Sequence, residues 1–168
     1  MRILFLLVCF LLVGCSPELT GTYEVVKVID GDTVDLDNGV RIRFSGINTP
    51  EISKGDCYAK EAKAFLSDLI LNKEVYLEKD FAAKDIYGRS LKYVYFKNVN
   101  INLLLVEEGY AEVFAVFSNT TYYEELVELE NEARKENKGL WSCDGRSFTE
   151  IKKEKINWKK LLLTSNWD

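Results

Sequence analysis

Two tight-turn signals, Asp30-Gly31-Asp32 and Asn38-Gly39, cut the stretch from Thr22 to Phe44 into three short segments rich in β-branched residues. Turns this short join antiparallel neighbours, so the stretch is expected to fold as a β meander. In its last segment Val40, Ile42 and Phe44 fall on one face and Arg41 and Arg43 on the other, because side chains alternate along a strand. One face seeks a core and the other is left for chemistry.

The rest of the chain supplies what covers that sheet. From Tyr58 to Leu71 the apolar residues Ala62, Phe65, Leu66, Leu69 and Ile70 follow helical spacing, and Asn72 can end the helix. Val75-Tyr76-Leu77 and Leu91 to Phe96 read as two further strands. A short helix is expected after Asn102, stopping at Gly109, and a last amphipathic helix carries Tyr122, Leu126, Leu129 and Ala133 and is closed by Gly139. Five strands interleaved with about three helices define an α+β fold, a small OB-type β-barrel whose open face commonly receives oligonucleotides. A chain of 168 residues, 47% hydrophobic, is enough for one such core and short for two.

Both ends read differently from the middle. Met1-Arg2 and the apolar run Ile3 to Val13 have the form of a signal peptide over residues 1–14, too short to span a bilayer comfortably. Leu12-Val13-Gly14-Cys15 resembles the lipobox of bacterial lipoproteins, which implies lipidation of Cys15, a short tether over 15–21 and a membrane-held protein outside the cytoplasm. The central domain is expected at 22–143. Beyond it, 144–168 is a basic extension with Lys152, Lys153, Lys155, Lys159 and Lys160 among Ile151, Ile156 and Trp158, either a docked helix or a basic edge facing lipid or nucleic acid. Cys57 and Cys143 remain once the signal is removed, and an oxidising compartment invites a disulfide between them. Sequence leaves that bond open, because it cannot place their Cβ atoms.

The chain has no histidine, which removes imidazole bases, imidazole ligands and Ser-His or Cys-His pairs. Chemistry must run on carboxylates, arginines, hydroxyls or a metal. A net charge of -5 argues against storing or wrapping nucleic acid, whose binding draws on basic patches, but not against an enzyme that must release product. Four segments stand out: Val28 to Val34 around Asp30-Gly31-Asp32-Thr33, Arg43 to Glu51 ending Ile47-Asn48-Thr49-Pro50-Glu51, Asp85-Ile86-Tyr87-Gly88-Arg89, and Gly139-Leu140-Trp141-Ser142. In this order and spacing, from about Thr22 to Ser142, they resemble the staphylococcal nuclease family.

The resemblance implies a calcium-dependent phosphodiesterase acting on DNA and RNA, leaving a 5′-hydroxyl and a 3′-phosphate, and a monomer is expected. Asp32, the residue at position 48 and the carbonyl of Thr49 would hold the metal, as hard oxygens suit calcium. Glu51, just past Pro50, would orient or deprotonate the attacking water. Arg43 and Arg89 would clamp the phosphoryl oxygens with planar guanidinium groups, and Tyr87 would contact substrate. Each has a plainer alternative: Asp30 and Asp32 as turn formers, Arg43 as a solvated strand residue paired with a nearby carboxylate, Glu51 as a helix-entry residue, Gly88-Arg89 as a turn. The chain also departs from the family pattern. Asn48 stands where a calcium-binding aspartate is expected, Ile86 replaces a lysine, and Ala115 and Phe117 replace tyrosines. A neutral ligand at position 48 implies weaker calcium binding, which Asn48→Asp should strengthen. It also keeps open a non-catalytic nucleic-acid-binding or surface interaction module on the same barrel.

Overall fold

The computed structural model describes residues 20–85, 87–114 and 121–143, with 81–83 as backbone alone. The expected signal peptide, Cys15 and its tether, Ile86, Ala115, Phe117 and the 144–168 extension lie outside the described residues. The meander is present: β1 (Gly21–Asp30), β2 (Thr33–Leu36) and β3 (Arg41–Phe44) pair antiparallel in sequence order. A two-residue strand β4 (Ile47–Asn48) follows, then α1 (Ala59–Ile70), β5 (Glu74–Lys84) and β6 (Ser90–Phe96). After them come β7 (Val99–Asn100), α2 (Ile101–Glu107), β8 (Glu112–Val113) and α3 (Tyr123–Lys135).

Closure depends on two long-range pairings. β1 bends through two register shifts, so that Val25 to Asp30 pairs with β2 while Gly21 to Glu24 pairs with β5; extra residues in a strand bend it in this way. β3 then runs parallel to β6, with Ile42 opposite Ser90 and Phe44 opposite Lys92. The order β3-β2-β1-β5-β6 thereby closes into the five-stranded barrel expected from the sequence. Val25, Val34, Leu36, Ile42, Phe44, Val75, Leu77 and Val94 fill it from the strands, and Leu66, Ile70, Leu105 and Leu126 pack in from the helices. Burying each large aliphatic side chain contributes about 1.5–3 kcal/mol, so the barrel interior is the main source of stability.

The helices arise where the apolar spacing places them, with two shifted boundaries. α1 buries Ala59, Ala62, Leu66 and Ile70, and Asn72 follows it in the left-handed region at φ 56, a conformation asparagine tolerates. α2 begins at Ile101 rather than after Asn102. Asn100 caps it, its side chain accepting from the N–H groups of Asn102 and Leu103, and a capped N-terminus fixes where a helix starts. Asn102 instead points inward. Its Oδ1 accepts from the Val94 N–H and its Nδ2 donates to the Ser45 carbonyl, 2.8 Å away, tying α2 to β6 and to the turn after β3. α2 does stop before Gly109, which has φ 71. α3 ends at Lys135, with Asn137 at φ 52, so Gly139 does not close it. Gly139 opens a 3₁₀ turn (Gly139–Ser142) packed on the backbone of Gly109, and a Cβ there would collide with the Gly109 carbonyl.

Candidate active site

The turn between β1 and β2 lies against the loop after β4, and Gly31 makes this approach possible. A Cβ on Gly31 would sit 2.9 Å from the side chains of Thr49 and Ala62, closer than packed carbons come. Asp32 is thereby delivered to Thr49, whose N–H donates to its Oδ2 at 2.8 Å, while Oδ1 accepts from the Thr33 hydroxyl at 2.9 Å. Thr33 lies opposite Arg43 across the β2–β3 ladder, which brings Arg43 Nη2 to 3.1 Å from Asp32 Oδ2. Arg43 Nη1 donates to the carbonyls of Phe44 and Ile47, and Nη2 to Asn48 Oδ1 at 3.2 Å. Arg43 is buried, so the solvated half of its plainer alternative does not hold, while the pairing with a nearby carboxylate does, to Asp32. Arg43 is walled in by β4.

Asn48 is held from both sides. Besides accepting from Arg43, it donates through Nδ2 to Glu112 Oε1 at 3.1 Å, and β4 and β8 pair with Asn48 opposite Glu112. Asp32, Arg43, Asn48 and Thr49 are thus one bonded cluster. Asp30 stands beside it, its Oδ1 accepting from the Asp32 N–H; burial, followed by the neighbouring Asp32 charge, pushes its carboxyl up to about 6.

The other expected residues occupy the rim. Glu51 stands at the head of a short 3₁₀ turn (Ile52–Lys54) without capping it, its carboxylate paired with Lys54 and its N–H donating to Asp56. Arg89 pairs through Nε with Asp85 at 2.6 Å, and Asp85 also accepts from the N–H groups of Tyr87 and Arg89, so this segment is a tight turn as well as a candidate clamp. Tyr87 is 78% exposed. Arg89 immediately precedes Ser90, which lies opposite Ile42, so the turn adjoins the strand that carries Arg43. Cys57 and Cys143 are bonded, with Cα atoms 6.2 Å apart, joining the entrance of α1 to the end of the last 3₁₀ turn. Sequence reasoning missed Glu112 and the organising role of Asp85. Glu112 offered only a faint signal, a carboxylate between Ala111 and Val113. Asp85 offered more, since an aspartate ahead of Gly88 is a turn former.

Residues 41–143 match the family model described as staphylococcal nuclease homologue. The chain belongs to the staphylococcal nuclease family. It is 36% identical over 136 residues to the thermonuclease of Staphylococcus hyicus, covering 77% of this chain and 80% of that protein. It is 35% identical over 132 residues to the micrococcal nuclease of Shigella flexneri, covering 71% and 72%, and 33% identical over 141 residues to an uncharacterized endonuclease of Haemophilus influenzae, covering 82% and 75%. Membership carries the enzyme class, a nuclease and therefore a hydrolase. Arg43, Asn48, Thr49, Glu51, Tyr87 and Arg89 fall within the matched segment of this family member, and Asp32 precedes it.

Proposed function

We propose that this nuclease is calcium-dependent, hydrolyses phosphodiester bonds of DNA and RNA, and leaves 3′-phosphate ends. The observation that carries the reading is the bonded cluster of Asp32, Arg43, Asn48 and Thr49. Its oxygens fit a hard divalent cation: the Asp32 carboxylate, Asn48 Oδ1 and the Thr49 carbonyl are donors that calcium takes. Asp30 adds a second carboxyl beside Asp32, its Oδ1 accepting from the Asp32 N–H. Among the described residues no three Asp, Glu or Cys side chains form a ready-made cage, so water and substrate oxygens would complete the coordination. Bound there, calcium would neutralise charge developing on a phosphoryl oxygen.

The chain's own residues supply the rest. Two backbone carbonyls, Asn48 and Asp32 fix the Arg43 guanidinium in a buried setting, where its fixed positive charge stabilises developing negative charge more strongly than in water. Arg89 uses Nε for Asp85, and its outer nitrogens are the ones to meet a phosphate. Glu51, on the rim and 34% exposed at its side chain, orients or deprotonates the attacking water. Tyr87 contacts the substrate. The test is an activity gel with DNA or RNA, run with calcium or with chelator, followed by analysis of the product ends. Cleavage only with calcium, giving 3′-phosphates, is expected. A non-catalytic binding module, the reading that Asn48 favours, would retain nucleic acid without cutting it.

The protein works outside the cytoplasm, held to a membrane through lipid on Cys15. The apolar run Ile3 to Val13 followed by Gly14-Cys15 supports this; among the described residues no helix is long and apolar enough to cross a membrane. Cys15→Ala protein is expected to leave the membrane fraction in high salt, and its retention there would rule out lipid as the anchor.

A further inference from the structure

We propose that Glu112 is a positioning residue for the cation site: from the neighbouring strand it locks the orientation of the Asn48 amide. The inference rests on the calcium reading above. An asparagine amide can face either way, and its neighbours decide which. Arg43 only donates, so it requires Oδ1, and the Glu112 carboxyl accepts through Oε1, so it takes the NH2 group. Both demands select one orientation, and it turns Oδ1 toward Arg43, on the side of the cluster that holds Asp32. β4 and β8 enforce the contact by pairing Asn48 with Glu112, and Glu112 is only 1% exposed.

Asn48 and Glu112 therefore form a matched pair, and the consequence differs from what the sequence suggests. Asn48→Asp would place a second buried carboxylate against Glu112 and remove the donor between them. It should not strengthen calcium binding unless Glu112 is replaced by a residue that can donate to the new carboxylate. In the double variant, Glu112→Gln offers an NH2 group to the new carboxylate, reversing the direction of the hydrogen bond.

The test is a double-mutant cycle of wild type, Asn48→Asp, Glu112→Gln and the double variant. Thermal unfolding is followed in chelator, and binding of calcium chloride by isothermal titration calorimetry. Asn48→Asp alone should unfold about 5 °C or more below wild type, and Glu112→Gln alone should weaken calcium binding roughly 10-fold, the usual scale for a group that orients a ligand. The double variant should regain most of both losses. Failure of Asn48→Asp to fold while the double variant folds is the same coupling in stronger form. Additive effects on unfolding would overturn the pairing, whereas absence of calcium binding by wild type would overturn the cation reading and, with it, the role of Glu112 toward a cation.

Discussion

Arg43 shows how one side chain is committed by its surroundings. Its two carbonyl contacts and its approach to Asp32 and Asn48 need a planar fork with several donors, which lysine lacks. Arg43→Lys is expected to lower turnover roughly 10²–10³-fold, the scale for losing one preoriented donor, and steady-state kinetics on folded protein would show it; near-normal turnover would remove Arg43 from the clamp. Glu130, bonded to the Val113 N–H of β8, offers a test of electrostatics beside the cluster. Burial raises its carboxyl above the ordinary 4.5, against the lowering effects of the Val113 N–H and Arg134, and Glu112 adds to the rise. The native state thus binds the proton more readily than the unfolded chain, so ionisation costs stability above the raised pKa and that cost fades as pH falls toward 4.5. Glu130→Gln keeps an acceptor for Val113 and should be more stable than wild type at about pH 7, with the difference shrinking at acid pH. Melting temperatures across that range would check it, and a difference that grows on acidification would contradict it.

At the scale of elements, what could be read from sequence was local and periodic. The meander, α1 and the apolar face of α3 follow from alternation or helical spacing within one short segment. β4, β7 and β8 are two residues each, too short to carry a period, and the parallel contact of β3 with β6 joins segments that nothing local connects. The site divides in the same way. Asp32, Arg43, Asn48, Thr49 and Glu51 lie in turn and strand segments with a recognisable order, whereas Glu112 meets Asn48 across 64 positions and left only a faint signal to read. Asn102 is the buried staple among these elements. Asn102→Ala would orphan the Val94 N–H and the Ser45 carbonyl, each costing about 1–3 kcal/mol if left unsatisfied. Urea unfolding should show a loss on that scale, and an unchanged midpoint would mean that the staple contributes little.

For the whole molecule, a closed barrel gives the cluster its rigidity: the β2–β3 ladder keeps Arg43 in register beside Asp32, and the disulfide between Cys57 and Cys143 ties the loop after Glu51 to the end of the described chain. The central claim is that Asp32 and its oxygen neighbours hold the calcium that phosphodiester hydrolysis needs. A calcium titration of DNA hydrolysis by purified wild-type and Asp32→Asn proteins, both shown to be folded, tests it most directly. Wild type should cleave with a half-maximal requirement of about 10⁻⁴–10⁻³ M, the range of weak extracellular calcium sites, and Asp32→Asn should need far more calcium or fail. No cleavage by wild type at millimolar calcium, or identical titrations for the two proteins, would contradict the account.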